Sequence, residues 1–431
     1  MEGLTRVGFG LLGLAVLLGI TWLFSNNRRR VDWRLVGIGL GLQIVIACLV
    51  LLTPGGARVF DALSSGFVTL LGFTTEGARF IFGDFTDPEK FGFVFAFQVL
   101  PTIIFFASFM SVLYHLGVMQ KIVQGMAWVI TKLMRVSGAE TLSVCANAFI
   151  GQTEAPLVVR PYIAGMTPSE LLTLMVGGMA TIAGGVLGAY VLLLGGGDPV
   201  QQAVYAKHLI TASIMAAPAT IVIAKILVPE TQEPLTLGSV RVNVEKTTAN
   251  VIDAAAAGAA DGLKLALNVG AMLLAFIALI ALLNAPLVWL GELTGLQDAL
   301  GRPTDLSALL GWVLSPLAWL IGVPWQDAAT VGGLIGTKVV LNEFVAYVQL
   351  GEILRGNVEG VSLTPQGRLI ATYALCGFAN FSSIAIQIGG IGGIASERRA
   401  DLARFGLRAV LGGSIATMMT ATIAGVLTLF A

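Results

Sequence analysis

The chain has 431 residues, of which 56% are hydrophobic and 12% charged, with 25 basic and 25 acidic side chains balancing to zero. Soluble domains average about 25% charged residues, so most of this surface faces something other than water, and no basic excess offers itself to a nucleic acid. Apolar runs that continue over about 20 residues, rather than alternating over about 10, exclude a barrel and indicate membrane-spanning helices.

The first apolar run covers residues 7–24 and is followed by Arg28, Arg29, Arg30 and Arg34. A signal peptide carries its positive charge before the apolar region, so this run reads as a retained helix with its start outside and the arginines cytoplasmic. A second helix is expected over 36–52. The stretch after it carries Asp61, Glu76, Asp84, Asp87 and Glu89 beside few cations, as an outside loop would. A third helix follows at 93–118. Residues 121–135, KIVQGMAWVITKLMR, place apolar side chains every three or four positions between basic ends, the pattern of an amphipathic helix lying on the membrane face. A fourth helix is expected at 171–194 with a weak point in TIAGGVLG, residues 181–188, and a fifth at 209–228. The polar stretch 229–248, with Arg241 and Lys246, fits a cytoplasmic loop. A sixth helix covers 251–290. Residues 306–323 are long enough to span, but Pro316 with Trp312, Trp319 and nearby Trp325 favours an interfacial helix. A seventh helix is placed at 369–388 and the last at 409–430. This count of about eight spans leaves Arg398 and Arg399 cytoplasmic and both termini outside. Cys48, Cys145 and Cys376 lie in apolar runs and read as small core residues. His115 and His208 are too few for a histidine metal site.

Two segments resist this scheme. Residues 142–162 are interrupted by Asn147, Gly151, Gln152, Thr153, Glu154, Pro156 and Arg160; residues 328–350 carry Asn342 and Glu343 in VVLNEFVAY. An ionisable group in lipid costs about 2.5 kcal/mol or more and so marks a pathway or site. Nothing near in sequence neutralises either carboxylate, and Lys338, five residues before Glu343, lies off its helical face. Each segment reads as a re-entrant hairpin whose tip exposes backbone groups that lipid leaves unsatisfied and a solute can satisfy. Ala127-Trp128 precedes Glu154 by 26–27 positions and Ala318-Trp319 precedes Glu343 by 24–25. In both halves an interfacial helix, a broken segment with Asn and Glu, and a Gly-rich helix follow in order. An odd number of spans separates the units, which makes them an inverted repeat of the kind that places a transport site at the midplane.

The fold expected is therefore an all-α integral membrane protein of about eight transmembrane helices, two re-entrant hairpins and interfacial helices, with an inverted-repeat transport domain on a scaffold. The units expected are scaffold helices over 1–118, a first repeat over 119–230, a long scaffold helix and loops over 231–304, and a second repeat over 305–431. Gln152, Thr153 and Glu154 offer donors and acceptors suited to a planar polar ring. Phe378 can cover an apolar face, and Asn380 and Ser383 can bond hydroxyls. The absence of a basic cluster favours a neutral polyol over a phosphate. Ser382 and Thr141 read as ordinary helix-linking residues.

The run GTKVVLNEFVAY (336–347) resembles the signature of the concentrative nucleoside transporters. GQTEAPLVVRPY (151–162) and CGFANFSSIAIQIGG (376–390) resemble two further segments of that family, and the likeness runs in order from about residue 93 to the C-terminus. The resemblance implies a homotrimer in a bacterial inner membrane, each protomer a scaffold with a mobile transport domain. It implies that Gln152, Thr153 and Glu154 bind the nucleobase with Val186 packing on it. Glu343, Asn380 and Ser383 would bind the ribose hydroxyls, with Asn342 beside them and Phe378 lining the pocket. In sodium-coupled members an ion sits between the first hairpin and the fourth helix; the matching positions are Asn147, Ile150, Thr181 and Ile182, with Thr181 where a relative supplies Ser. The expected function is nucleoside import by sodium symport. Proton coupling, for which a protonated Glu154 or Glu343 would serve, is the first alternative, and a channel is a more distant one. No HExxH motif, paired acidic metal motif or Ser-His pair points to an enzyme.

Overall fold

The computed structural model describes residues 2–238, 248–297, 303–428 and 430. Arg241 and Lys246 of the expected cytoplasmic loop lie outside them. All regular elements among the described residues are helical. In chain order they are α1 (Glu2–Leu23), α2 (Trp33–Leu51), α3 (Pro54–Phe82), α4 (Pro88–Phe91), α5 (Phe95–Gln98), α6 (Leu100–His115), α7 (Val118–Met134), α8 (Gly138–Asn147), α9 (Arg160–Ile163) and α10 (Pro168–Ala180). There follow α11 (Gly184–Gly195), α12 (Pro199–Leu227), α13 (Val251–Leu293), α14 (Leu306–Leu320), α15 (Trp325–Val340), α16 (Glu343–Leu354), α17 (Pro365–Ala374), α18 (Phe381–Ile394) and α19 (Arg399–Leu427).

Among the described residues, seven helical stretches are long and apolar enough to cross a membrane: Arg6–Leu23, Trp33–Leu51, Phe95–His115, Pro168–Gly195, Pro199–Leu227, Val251–Leu293 and Ser396–Leu427. The α14–α15 pair, bent by 117°, makes an eighth if counted as one span. That bend turns α15 back along α14, and Gly311, Gly332 and Gly333 let the two backbones approach: a Cβ on Gly332 would stand 3.0 Å from the Leu314 carbonyl carbon. Small residues bring membrane helices together in this way. On α13, Gly258 and Gly262 face Ala107, Ser108 and Ile104 of α6, and Ser108 Oγ donates to the Ala255 carbonyl at 2.8 Å.

Two elements differ from the sequence expectation. The acidic stretch read as an outside loop is mostly the 29-residue helix α3, capped at Thr53, whose Oγ1 accepts from Gly56 N at 3.0 Å. Only a narrow stripe of it is buried (Ser64, Leu71, Thr74 and Ala78), and the charged residues Arg58, Asp61, Glu76 and Arg79 set among its apolar ones make it read as a loop in sequence. The helix expected at 369–388 is two helices, α17 and α18, separated at 375–380. The reason is Asn380, whose Oδ1 caps α18 by accepting from Ser383 N at 2.9 Å. Asx residues favour caps over helix interiors because the side chain competes for backbone donors. The expected weak point in the fourth helix is a break, with α10 ending at Ala180 and α11 starting at Gly184.

The buried half of the molecule is built from α8, α10–α12, α15–α18 and α19. Of an apolar 18-residue window in Pro168–Gly195 and in Pro199–Leu227, 89% of the residues are buried, against 17% in α13 and 22% in Phe95–His115. A bundle of interrupted helices is thus wrapped by helices that expose apolar side chains outward, the arrangement a bilayer accepts.

Candidate functional site

Three interruptions meet in the centre of the buried bundle, and their backbones satisfy one another. After α8 the first hairpin turns through residues 148–154. Gly184 N donates to Phe149 O at 3.0 Å, tying that tip to the start of α11. Thr181, in the α10–α11 break, donates its hydroxyl to Asn147 O at 3.1 Å and to Gly177 O at 3.0 Å. Phe378 N, in the α17–α18 break, donates to Thr181 O at 3.3 Å. A polar backbone cannot stay unpaired at this depth, so each break closes part of the deficit of the others. Gly377 is required here: a Cβ would come within 2.8 Å of Met179 O and 2.9 Å of Thr417 Cγ2.

Side chains from these breaks and from the second hairpin form a chain of hydrogen bonds. Glu343, at the first position of α16, is 6% exposed. Its Oε1 accepts from Tyr190 OH at 2.9 Å and its Oε2 from Asn380 Nδ2 at 3.2 Å. Asn380 Oδ1 accepts from Ser383 N and, at 2.7 Å, from Ser382 Oγ. Ser383 Oγ accepts from Gln152 Nε2 at 3.1 Å, and Gln152 Oε1 accepts from Gln387 Nε2 at 3.1 Å. The chain therefore crosses from the second hairpin through α18 to the first hairpin. It brings together Gln152, Glu343, Asn380 and Ser383 of the sequence-predicted set. Val186 is buried in the first turn of α11 and Phe378 is half-buried at the neighbouring break.

The remaining predicted residues are placed differently. Glu154 is exposed and accepts from Thr153 Oγ1 at 2.9 Å. Asn342 is buried, and its Oδ1 caps α16 by accepting from Val345 N at 2.9 Å. Lys338 is buried but donates to Ala374 O and Thr417 Oγ1, both at 2.9 Å, and not to Glu343. Ser382 and Thr141 bond within their own helix or cap. Tyr190 and Gln387 are absent from the sequence-predicted set. Each lies one helical turn beyond a residue that was in it, Val186 and Ser383 respectively, and that i to i+4 relation is the signal that marks them.

Beneath the tip, Asn147 Oδ1 and Ser143 Oγ are buried on one face of α8 without a hydrogen-bond partner among the described residues. Asn147 Nδ2 donates back to Ser143 O at 3.1 Å. Unpaired buried oxygens are rare. The Asn147 backbone carbonyl also accepts from the Thr181 hydroxyl, and oxygens of this kind suit a hard cation. Ile150 and Ile182 can add only backbone oxygens.

Comparisons with known proteins bear on this geometry. The family profile "Na+ dependent nucleoside transporter C-terminus" matches residues 208–425, its N-terminal counterpart matches 12–85, and "Gate: Nucleoside recognition" matches 96–197. The chain belongs to the concentrative nucleoside transporter family. It is a multi-pass membrane transporter of the Na+-dependent nucleoside type and not an enzyme. It is 45% identical over 417 residues to an uncharacterized transporter of Haemophilus influenzae, covering 96% of each chain. It is 40% identical over 425 residues to sodium/nucleoside cotransporter 1 of Mus musculus, covering 96% of this chain and 63% of the mouse protein. Among solved structures, CNTnw in an inward-facing substrate-bound state aligns over 99% of both chains at 43% identity with a TM-score of 0.87. A substituted form of CNTnw in an outward-facing state aligns over 100% of both at 42% identity with a TM-score of 0.90.

Proposed function

We propose that this transporter imports nucleosides across a bacterial inner membrane by sodium symport. The carrier would be a homotrimer with both termini outside, and the hairpin-bearing bundle of each protomer would move across its scaffold. The observation that carries the substrate assignment is the bonding of Glu343. Two donors, Tyr190 and Asn380, hold the Glu343 carboxyl group at the start of α16. A carboxylate has about four acceptor sites, so two remain for vicinal hydroxyls, as on a ribose. Asn380 and Ser383 would complete that contact. Gln152, Thr153 and Glu154 would meet the base edge, with Val186 and Phe378 against its faces and Asn342 holding the second tip in shape.

Sodium is supported by Asn147 Oδ1, unpartnered among the described residues, on the residue whose carbonyl holds the Thr181 hydroxyl, and by the family's Na+-dependent character. Thr181 keeps the hydroxyl that a Ser would supply, and Ile150 and Ile182 would contribute carbonyls. The first hairpin would then hold ion and base at once, so that each orders the tip for the other. One charge crossing 100 mV supplies about 2.3 kcal/mol. With a tenfold sodium gradient the total is about 3.7 kcal/mol, enough for roughly 500-fold accumulation.

Reconstituted into liposomes, the protein should accumulate uridine when sodium is outside and stop when choline replaces it at fixed pH. Accumulation driven equally by a pH gradient without sodium would overturn the assignment of the ion. Saturable, gradient-driven uptake separates this reading from a channel.

A further inference from the structure

Gln387 is 1% exposed on α18 and lies outside the substrate contacts assigned above. Its Nε2 donates to the Met175 carbonyl at 3.0 Å and to Gln152 Oε1 at 3.1 Å. A backbone carbonyl only accepts. Met175 O therefore fixes which end of the Gln387 amide is nitrogen, and that end in turn fixes which end of the Gln152 amide is oxygen. Gln152 is left presenting Nε2 toward Ser383 Oγ. Turning the Gln152 amide over would set its nitrogen against the Gln387 nitrogen and its oxygen against Ser383. The packing keeps the pair together as well. A Cβ on Gly178 of α10 would stand 2.6 Å from Gln387 Nε2 and 2.9 Å from Gln152 Cβ, so this glycine leaves room for the Gln387 amide and the base of the Gln152 side chain.

We propose that Gln387 is a positioning residue that locks Gln152 as a hydrogen-bond donor and so sets which base edge the transporter prefers. The inference rests on Gln152 facing the nucleobase. An amide held by one neighbour only would rotate to suit either polarity, and selectivity between bases would fall. Uridine and cytidine suit the test because they reverse donor and acceptor at N3 and the 4-position while sharing the same ribose.

Binding of both nucleosides is measured in sodium on the full-length protein in detergent, by calorimetry or competition, for wild type and for Gln387→Met. Methionine keeps the length of the side chain and removes the donor. The ratio of uridine to cytidine affinity should move toward unity by about fivefold or more, with the sodium dependence of uridine binding unchanged. A purely structural role would weaken both nucleosides in parallel and leave the ratio where it was, which overturns the proposal. Gln387→Asn, which keeps a buried amide but cannot span Met175 and Gln152 together, should move the ratio the same way and serves if the methionine variant does not fold. A wild type that binds neither nucleoside sinks the functional reading itself; wild-type binding with an unmoved ratio sinks only the role of Gln387.

Discussion

Glu343 and Glu154 stand at matching places in the two repeats, yet one is buried with two donors on its oxygens and the other is exposed and accepts from its neighbour Thr153. In sequence they pose the same anomaly, a carboxylate in a broken apolar segment. In the fold only Glu343 is built in: Tyr190 reaches it from α11 and Asn380 from the start of α18. A buried carboxylate held by fixed donors acts at full strength on whatever displaces water from its remaining lone pairs, whereas an exposed one is screened. On the proposed assignment, the second hairpin would supply the rigid, strong contact and the first an adaptable one, open to water.

Glu343→Gln should sharpen this contrast most. It replaces an acceptor by an amide that sets an N–H against either Tyr190 or Asn380. Each hydrogen bond to a charged group is worth about 1.5–3 kcal/mol, so nucleoside affinity should fall about 100-fold or more while the purified protein keeps its elution volume and helical signal. Normal uptake by this variant would break the account of the ribose contact. Tyr190→Phe removes one of the two donors and keeps the ring, which packs 4.5 Å from Tyr347 between centroids. A loss of about tenfold in affinity is expected, read from the concentration dependence of uptake. Glu154→Gln should cost about fivefold or less, since a water-accessible hydrogen bond contributes around 1 kcal/mol; a loss as large as that of Glu343→Gln would erase the distinction between the two hairpins. At the bottom of the scale, Lys90→Ala breaks a 2.7 Å ion pair with Asp84 whose side chains are both more than half exposed, and neither melting nor uptake should change measurably.

Much of this was legible from the order of residues. The broken segments show themselves by Asn147 to Glu154 and by Asn342-Glu343 because polar residues have no other business in such apolar surroundings. The break before α11 shows in its glycines. The break before α18 did not, because Gly377 and Asn380 sit in a run apolar enough to read as one span, and the cap that Asn380 forms depends on a three-dimensional partner, Glu343, to explain why it is there. α3 was hidden for the opposite reason: Arg58, Asp61, Glu76 and Arg79 interrupt an otherwise apolar stretch and keep it from looking like a span. Tyr190 and Gln387 are marked only by standing four residues after Val186 and Ser383. Tyr190 is an aromatic in an apolar helix and Gln387 a lone amide among isoleucines, and only the pairing of distant breaks turns them toward Glu343 and Gln152.

The most direct test is uridine binding in sodium by calorimetry on wild type, Glu343→Gln and Glu154→Gln side by side. The account predicts sodium-dependent binding in wild type, its loss by about 100-fold or more in Glu343→Gln, and retention within about fivefold in Glu154→Gln. Equal losses in the two variants, or binding by Glu343→Gln as tight as wild type, would contradict it.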